Sequence, residues 1–145
     1  MLSEPSFHDG SLSTVHANSS RDALSRVETM VLMAGYELPM RAIRQQIASA
    51  VDLIVHVERL PDGSRRVTAI TEVMRTEGDV ITTGDVFAFK VDDVSGDGTV
   101  SGSLRWTGMR PTFVSKLERH GLTLPGALAG SAHEAQDRTA RIGLR

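Results

Sequence analysis

Gly10-Ser11-Leu12-Ser13-Thr14-Val15-His16-Ala17-Asn18-Ser19 is the stretch on which the reading of this chain turns. Ser11 to Val15 is short and has a β-branched end, which suits a strand. Asn18, Ser19 and Ser20 then offer side-chain oxygens that can accept from the free N–H groups of a helix start. Ser19 and Asp22 stand three apart, as in a capping box with Asp in place of the usual Glu. Arg21 to Ala34 follows, with Leu24, Val27, Val31 and Ala34 at helical spacing and Gly35 placed to end the helix in the left-handed region. The segment therefore reads as a strand that passes through a polar cluster into an amphipathic helix. In open α/β sheets, ligands sit beyond the carboxyl ends of strands. Thr14, His16 and Asn18 would then reach a nucleotide phosphate or a neighbouring subunit. On the plainer alternative, His16 is a polar loop residue and Asn18 merely a helix cap.

Downstream, Pro39 suits the first turn of a second helix, whose apolar stripe is Ile43, Ile47 and Ala50, with Arg41, Arg44 and Gln45 facing elsewhere. Leu53 to Val57 reads as a strand and Val67 to Val73 as its return. Between them, Pro61-Asp62-Gly63-Ser64 is a turn signature, because Pro sets the first torsion and Gly allows positive φ. Two more β segments are predicted at Val80 to Ile81 and at Val86 to Val91, then a loop over Asp92 to Gly98. Val100 to Trp106 alternates as a half-buried strand. Pro111 opens a short helix that carries Phe113, Val114 and Leu117 and closes at Gly121. From Gly126 to Arg145 the sequence is small, polar and aperiodic, which predicts a disordered tail with at most a frayed helix around Glu134 to Arg141. The organisation expected is a tail over residues 1–10, one domain over 11–125 and a tail over 126–145.

Composition narrows the function classes. The 145 residues suffice for one core. A net charge of −2, with no Lys/Arg block, gives no field that would draw nucleic acid. The chain has no cysteine, which removes disulfides and thiolate metal sites and fits a reducing cytoplasm. No apolar run approaches the ~20 residues of a membrane-crossing helix, and Met1 to Gly10 lacks the basic leader and apolar stretch of a signal peptide. A soluble, cytoplasmic chain is expected. The five histidines (His8, His16, His56, His120 and His133) contain no pair at the four-residue spacing of a helical metal site. There is no Gly-x-Ser-x-Gly elbow. Asp92, Asp93, Asp97 and Gly98 lack the order of a calcium loop. Trp106 reads as packing, and His56 as a satisfied or edge histidine.

HDGSLSTVHANS resembles the His box of the type II/IV secretion ATPases, in particular the CpaF/TadA branch that powers Tad-type pili. The resemblance continues through RDALSRVETMVLMAG and PMRAIRQQIASAVDLIVHVERLPDGSRRVTAITEV. It resumes in EGDVITTGDVFAF and TGMRPTFVSKLERHGLTLP, and so covers about His8 to Pro125. It implies an α/β fold, namely the carboxy-terminal portion of a RecA-like P-loop ATPase core followed by a β-rich extension and a short helix. His16 matches the His-box histidine, thought in this family to sense the γ-phosphate. Thr14, two residues earlier, would share its face of the strand. Arg41 and Arg44 lie in the motif after the His box, either at a subunit boundary or on a solvated helix face.

The departures from the family pattern are equally definite. No Gly-Lys pair occurs in the chain, so the Walker A loop is absent, and nothing before His8 matches the acidic box or Walker B. Without that loop, backbone N–H groups and a lysine cannot cradle the β- and γ-phosphates. ATP and Mg are therefore expected only in the context of an intact ATPase. The expected partners are other secretion ATPase subunits or a Walker A-containing half, in a hexameric ring, together with the inner-membrane platform of a pilus or secretion machine. A chain that resembles a carboxy-terminal half would leave a strand edge at Ser11 to Val15 unpaired and helix faces around Leu24 and Val31 uncovered. The competing expectation is a non-catalytic interaction module or an inert remnant.

Overall fold

Ser19 opens the first helix as the sequence predicts. Its Oγ accepts from the N–H of Asp22 at 3.0 Å, and Asp22 Oδ2 accepts in return from the N–H of Asn18 at 2.9 Å. The return bond reaches one residue further back than in a standard capping box. The computed structural model describes residues 10–123. The predicted disordered segment and frayed helix beyond Gly126 lie outside them, as does His8. Helix α1 runs Ser20–Met33, and Gly35 follows at φ +81°. Helix α2 runs Met40–Ala50, with Pro39 at its cap. Their apolar stripes meet each other and the sheet: Leu24, Ile43, Ile47, Val73 and Ile81 form one buried cluster, with Val27, Val31 and Ile54 packed around it. Each fully buried aliphatic side chain contributes about 1.5–3 kcal/mol. The faces of α1 expected to lie bare are thus covered by the chain's own α2 and sheet.

Four strands follow the helices: β1 (Leu53–Arg59), β2 (Arg65–Glu77), β3 (Val80–Val94) and β4 (Val100–Trp106). They form one sheet in chain order, and every pair is antiparallel. The Pro61–Ser64 turn closes as read, with the N–H of Leu60 donating to Ser64 O at 2.8 Å and Gly63 at φ +81°. Val80 to Val91 is one strand and not two. It continues to Val94, into the expected loop, because the tight turn is confined to Ser95–Thr99, where Ser95 N–H donates to Thr99 O and Gly98 N–H to Ser95 O.

One expectation needs correction. Ser11 to Val15 forms no strand, because ladder hydrogen bonds are made between strands and these residues meet no partner among the described ones. The described sheet is an antiparallel meander of four strands. The coarse reading, a mixed helix-and-sheet fold ending in a short helix, stands.

Side chains fasten the layers where apolar packing is thin. Successive residues of a strand point to opposite faces. Thr71 and Val73 of β2 face α1 and α2, while Glu72 faces the other way. There its carboxylate accepts from Thr112 N at 2.9 and 3.0 Å, from Thr112 Oγ1 at 2.7 Å and from Phe113 N at 3.1 Å. Those bonds seat helix α3 (Val114–Arg119) beneath the sheet. Gly121 at φ +73° ends this helix in a Schellman arrangement, with Leu122 N–H donating to Leu117 O and Gly121 N–H to Glu118 O, both at 3.0 Å. Trp106 donates from Nε1 to Met109 O at 2.9 Å and fixes the approach to α3. On the β1–β2 turn, Asp62 accepts from Ser64 Oγ and N–H through Oδ1, and from Val100 N–H through Oδ2, joining that turn to the start of β4.

Two outcomes are expected. Glu72→Ala removes the side-chain acceptor of the Thr112 and Phe113 N–H groups and is expected to destabilise the chain by roughly 1.5–3 kcal/mol, the range for hydrogen bonds to a charged group. Chemical denaturation measures this, and protease cleavage near Pro111 reports the loosened helix. Asp62 tests the acid limb. The Ser64 hydroxyl, then the Val100 and Ser64 N–H groups, hold its carboxyl at about 2, below the ordinary 3.8. A folded pKa below the unfolded one gives stability that is present above the unfolded value and lost as pH falls through the folded one. Between about pH 4 and pH 2, the urea midpoint of the wild type should therefore fall more steeply than that of Asp62→Asn.

Candidate functional site

The segment singled out in the sequence leaves α1 as an arm. Residues 11–16 are all exposed, Leu12 completely, and no hydrogen bond to a described residue holds them. Thr14 and His16 lie on this arm. The first anchored position is Asn18, whose N–H binds Asp22. That bond, with Arg26 and the nearby charge of His16 adding to it, lowers the Asp22 carboxyl below its ordinary range. Asn18 thus joins the helix start through its backbone N–H, while the cap is Ser19, and His16 is exposed on the arm near Asp22.

Behind this start, the helix is tied to the sheet. Ser20 Oγ lies 2.8 Å from Thr71 Oγ1, and Thr71 Oγ1 donates to Asp85 Oδ1 at 2.6 Å. A register slip places these groups. Ile70 pairs with Phe87, yet Thr71 pairs with Asp85, so Val86 is the extra residue of a bulge. Ser19, Ser20, Arg21, His56, Thr71 and Asp85 line an open cleft of about 350 Å³ between α1 and the sheet. His56, expected as an edge histidine, faces this cleft from β1 opposite Ala69. Neither Thr14 nor His16 lines it.

A second cleft of about 190 Å³ includes Arg44 and Glu28 among its walls. Arg44 donates from Nε to Glu28 Oε1 at 3.0 Å and from Nη2 to Glu28 Oε2 at 3.2 Å. Its Nη1 donates to Asp79 O at 2.6 Å. The fork joins α2 to α1 and to the β2–β3 turn. Arg44 is therefore not the solvated helix-face residue expected; Arg41, which is exposed, is. Sequence reading missed Thr71, Asp85 and the Arg44–Glu28 pair. The one visible signal was Thr71-Glu72, two adjacent polar residues between the apolar Ile70 and Val73.

The described residues include no cluster of three or more His, Asp or Glu suited to a metal ion, and the cationic side chains lining the two clefts are Arg21 and Arg44. What the arm supplies is a donor, since imidazole N–H can bind a phosphate oxygen.

Comparison with known proteins matches residues 4–83 to the model of the family described as Type II/IV secretion system protein. The chain belongs to that family. The matched span contains the arm, both long helices, β1, β2 and the start of β3. A protein of Mycobacterium tuberculosis named for conjugal transfer is 36% identical over 73 residues, covering 50% of this chain and 20% of its own length. The conjugal transfer protein TrbB of Rhizobium radiobacter is 37% identical over 71 residues, 49% of this chain and 20% of its own. One of the same name from Sinorhizobium fredii is 41% identical over 68 residues, 47% and 19%. The chain therefore spans about a fifth of the curated relatives it matches. Among the described residues, no helix is long and apolar enough to cross a membrane.

The Arg44 fork gives a family member's helix pair a measurable dependence. Arg44→Ala leaves the Glu28 carboxylate without its partner and is expected to lower the midpoint of thermal or urea unfolding. Arg44→Lys should recover only part of this, because an ammonium lacks the planar fork that makes two parallel bonds to Glu28 while a third nitrogen reaches the Asp79 carbonyl.

Proposed function

We propose that this chain supplies the His-box part of a secretion-system ATPase, with His16 as a phosphate-facing donor and Thr14 beside it. The observation that carries this reading is the family match over residues 4–83, which contains the exposed arm of residues 11–16. An exposed, polar arm on a firmly capped helix is suited to meet a ligand held by another body. With no Gly-Lys pair in the chain, the phosphate cradle, and with it ATP and Mg, would be supplied by a P-loop-bearing segment or another subunit. The partners proposed are other ATPase subunits and the inner-membrane platform of the machine. The run from HDGSLSTVHANS through TAITEV favours a Tad-type pilus motor. The names of the Rhizobium and Mycobacterium relatives favour a second reading, a conjugal transfer motor. The two share the same arm chemistry.

The chain alone should show no steady ATP hydrolysis. Mixed with a P-loop-bearing half of a secretion ATPase, it should restore hydrolysis. His16→Ala should then lower the rate by ~10²–10³, the usual cost of losing one transition-state donor, while sedimentation still shows the complex. His120→Ala is the matched control, an exposed cap of α3. Equal rates for the two variants would overturn the role of His16. Hydrolysis by the purified chain alone that His16→Ala abolishes would overturn the dependence on a second body.

A further inference from the structure

We propose that Thr71, buried on β2 and far from the arm in sequence, is a positioning residue that sets the direction in which the His16 arm leaves the fold. The inference rests on the reading of His16 above, and adds to it the group that aims the arm. Thr71 has one hydroxyl proton. The Asp85 carboxylate can only accept, so that proton is committed to Asp85 Oδ1 at 2.6 Å. Ser20 must therefore donate to Thr71 Oγ1 across their 2.8 Å contact. The chain of hydroxyls has one direction, running from the first residue of α1 through the sheet to a charge on β3. Thr71 is 2% exposed, so water does not compete for it. The bulge at Val86 is what brings Asp85 opposite Thr71; an unbroken ladder would place Val86 there.

The consequence for the arm is geometric. Ser20 lies four residues after His16. The turn between them is held on the helix side by Ser19 and Asp22; on the sheet side, Leu24 packs against Val73 and Ile81 further along the helix, and among the described residues the one side-chain hydrogen bond from the turn itself to the sheet is Ser20 to Thr71. The helix-side bonds fix the shape of the turn but move with the helix. The Ser20–Thr71 bond refers that turn to the sheet. Residues 11–16 have no hydrogen bond to a described residue, so their direction is inherited from this start. Asp85 is exposed, so its carboxylate stays hydrated when Thr71 is changed. Losing the tether should leave the fold in place, and this separates aiming from folding.

The test uses Thr71→Val, which keeps the shape and removes the hydroxyl, and Thr71→Ser, which restores it. In this chain alone, amide exchange of residues 20–23 should quicken in Thr71→Val and return towards wild type in Thr71→Ser, with exchange in β2 and β3 unchanged. In the mixture with the P-loop-bearing half, Thr71→Val should lower kcat about tenfold to a hundredfold, as small misplacements of catalytic groups do. KM for ATP and complex formation should stay near wild type, and Thr71→Ser should recover most of the rate. Wild-type exchange over residues 20–23 in Thr71→Val would overturn the tether. A rate that falls only with the folded fraction would overturn the aiming role. If the wild-type mixture does not hydrolyse ATP, or His16→Ala is silent in it, the reading of His16 fails. The exchange experiment still decides the tether in that case.

Discussion

Thr71 and Glu72 are neighbours on the long second strand, and both are 2% exposed. The two-residue period of a strand sends them to opposite faces. Thr71 reaches up to the first residue of α1, and Glu72 reaches down to the two backbone N–H groups that open α3. Every layer of the described fold is therefore referred to one peptide unit in β2. An apolar pair at these positions would pack more cheaply but with less direction, since hydrophobic contact does not specify which groups meet. A hydroxyl and a carboxylate do specify it, because a buried polar group left without its partner costs about 1–3 kcal/mol. Both are satisfied here, Glu72 by two N–H groups and a hydroxyl.

The balance between packing and polar fastening suits the size of the core. One cluster of five buried residues, with partly buried neighbours, joins α1 and α2 to the sheet. On the opposite face, α3 buries Val114, and its loop adds a buried Pro111. So little apolar area holds a six-residue helix weakly by itself, and an isolated helix of that length does not persist in water. The Glu72 bonds and the Schellman end supply what propensity cannot. The same logic applies to the β1–β2 turn, where Asp62 binds its own turn and the first N–H of β4.

Much of this architecture was legible in local sequence. The cap at Ser19, the stop at Gly35, the Pro61–Ser64 turn and the strand from Val100 to Trp106 depend on residues within a few positions of one another. Local rules therefore found them. Three features escaped because they depend on partners distant in the chain. Ser11 to Val15 has the composition of a strand, but a strand is a property of a pair. The length of β3 depends on β2 running on to Glu77 opposite Val80. Arg44 has the spacing of an outward residue on α2, and only the arrival of Glu28 from α1 and the Asp79 carbonyl turns it into a fork. For the site, the sequence pointed to Thr14 and His16 on the arm. It gave no sign of what Thr71 meets behind the arm, because the bulge that brings Asp85 to Thr71 is invisible in a pattern of alternation.

The side chains that fasten the distal elements come from inside the span that defines the family. Asp62 and Glu72 both lie within residues 4–83, while their targets, Val100, Thr112 and Phe113, lie beyond it. Strand β4 and helix α3 are therefore not a separable addition to the family portion. β4 is the edge strand of the sheet and α3 lies on the face opposite the long helices, and both are held by residues of that portion. Thr71 on the upper face and Glu72 on the lower share one backbone segment, so a displacement of β2 is felt at both.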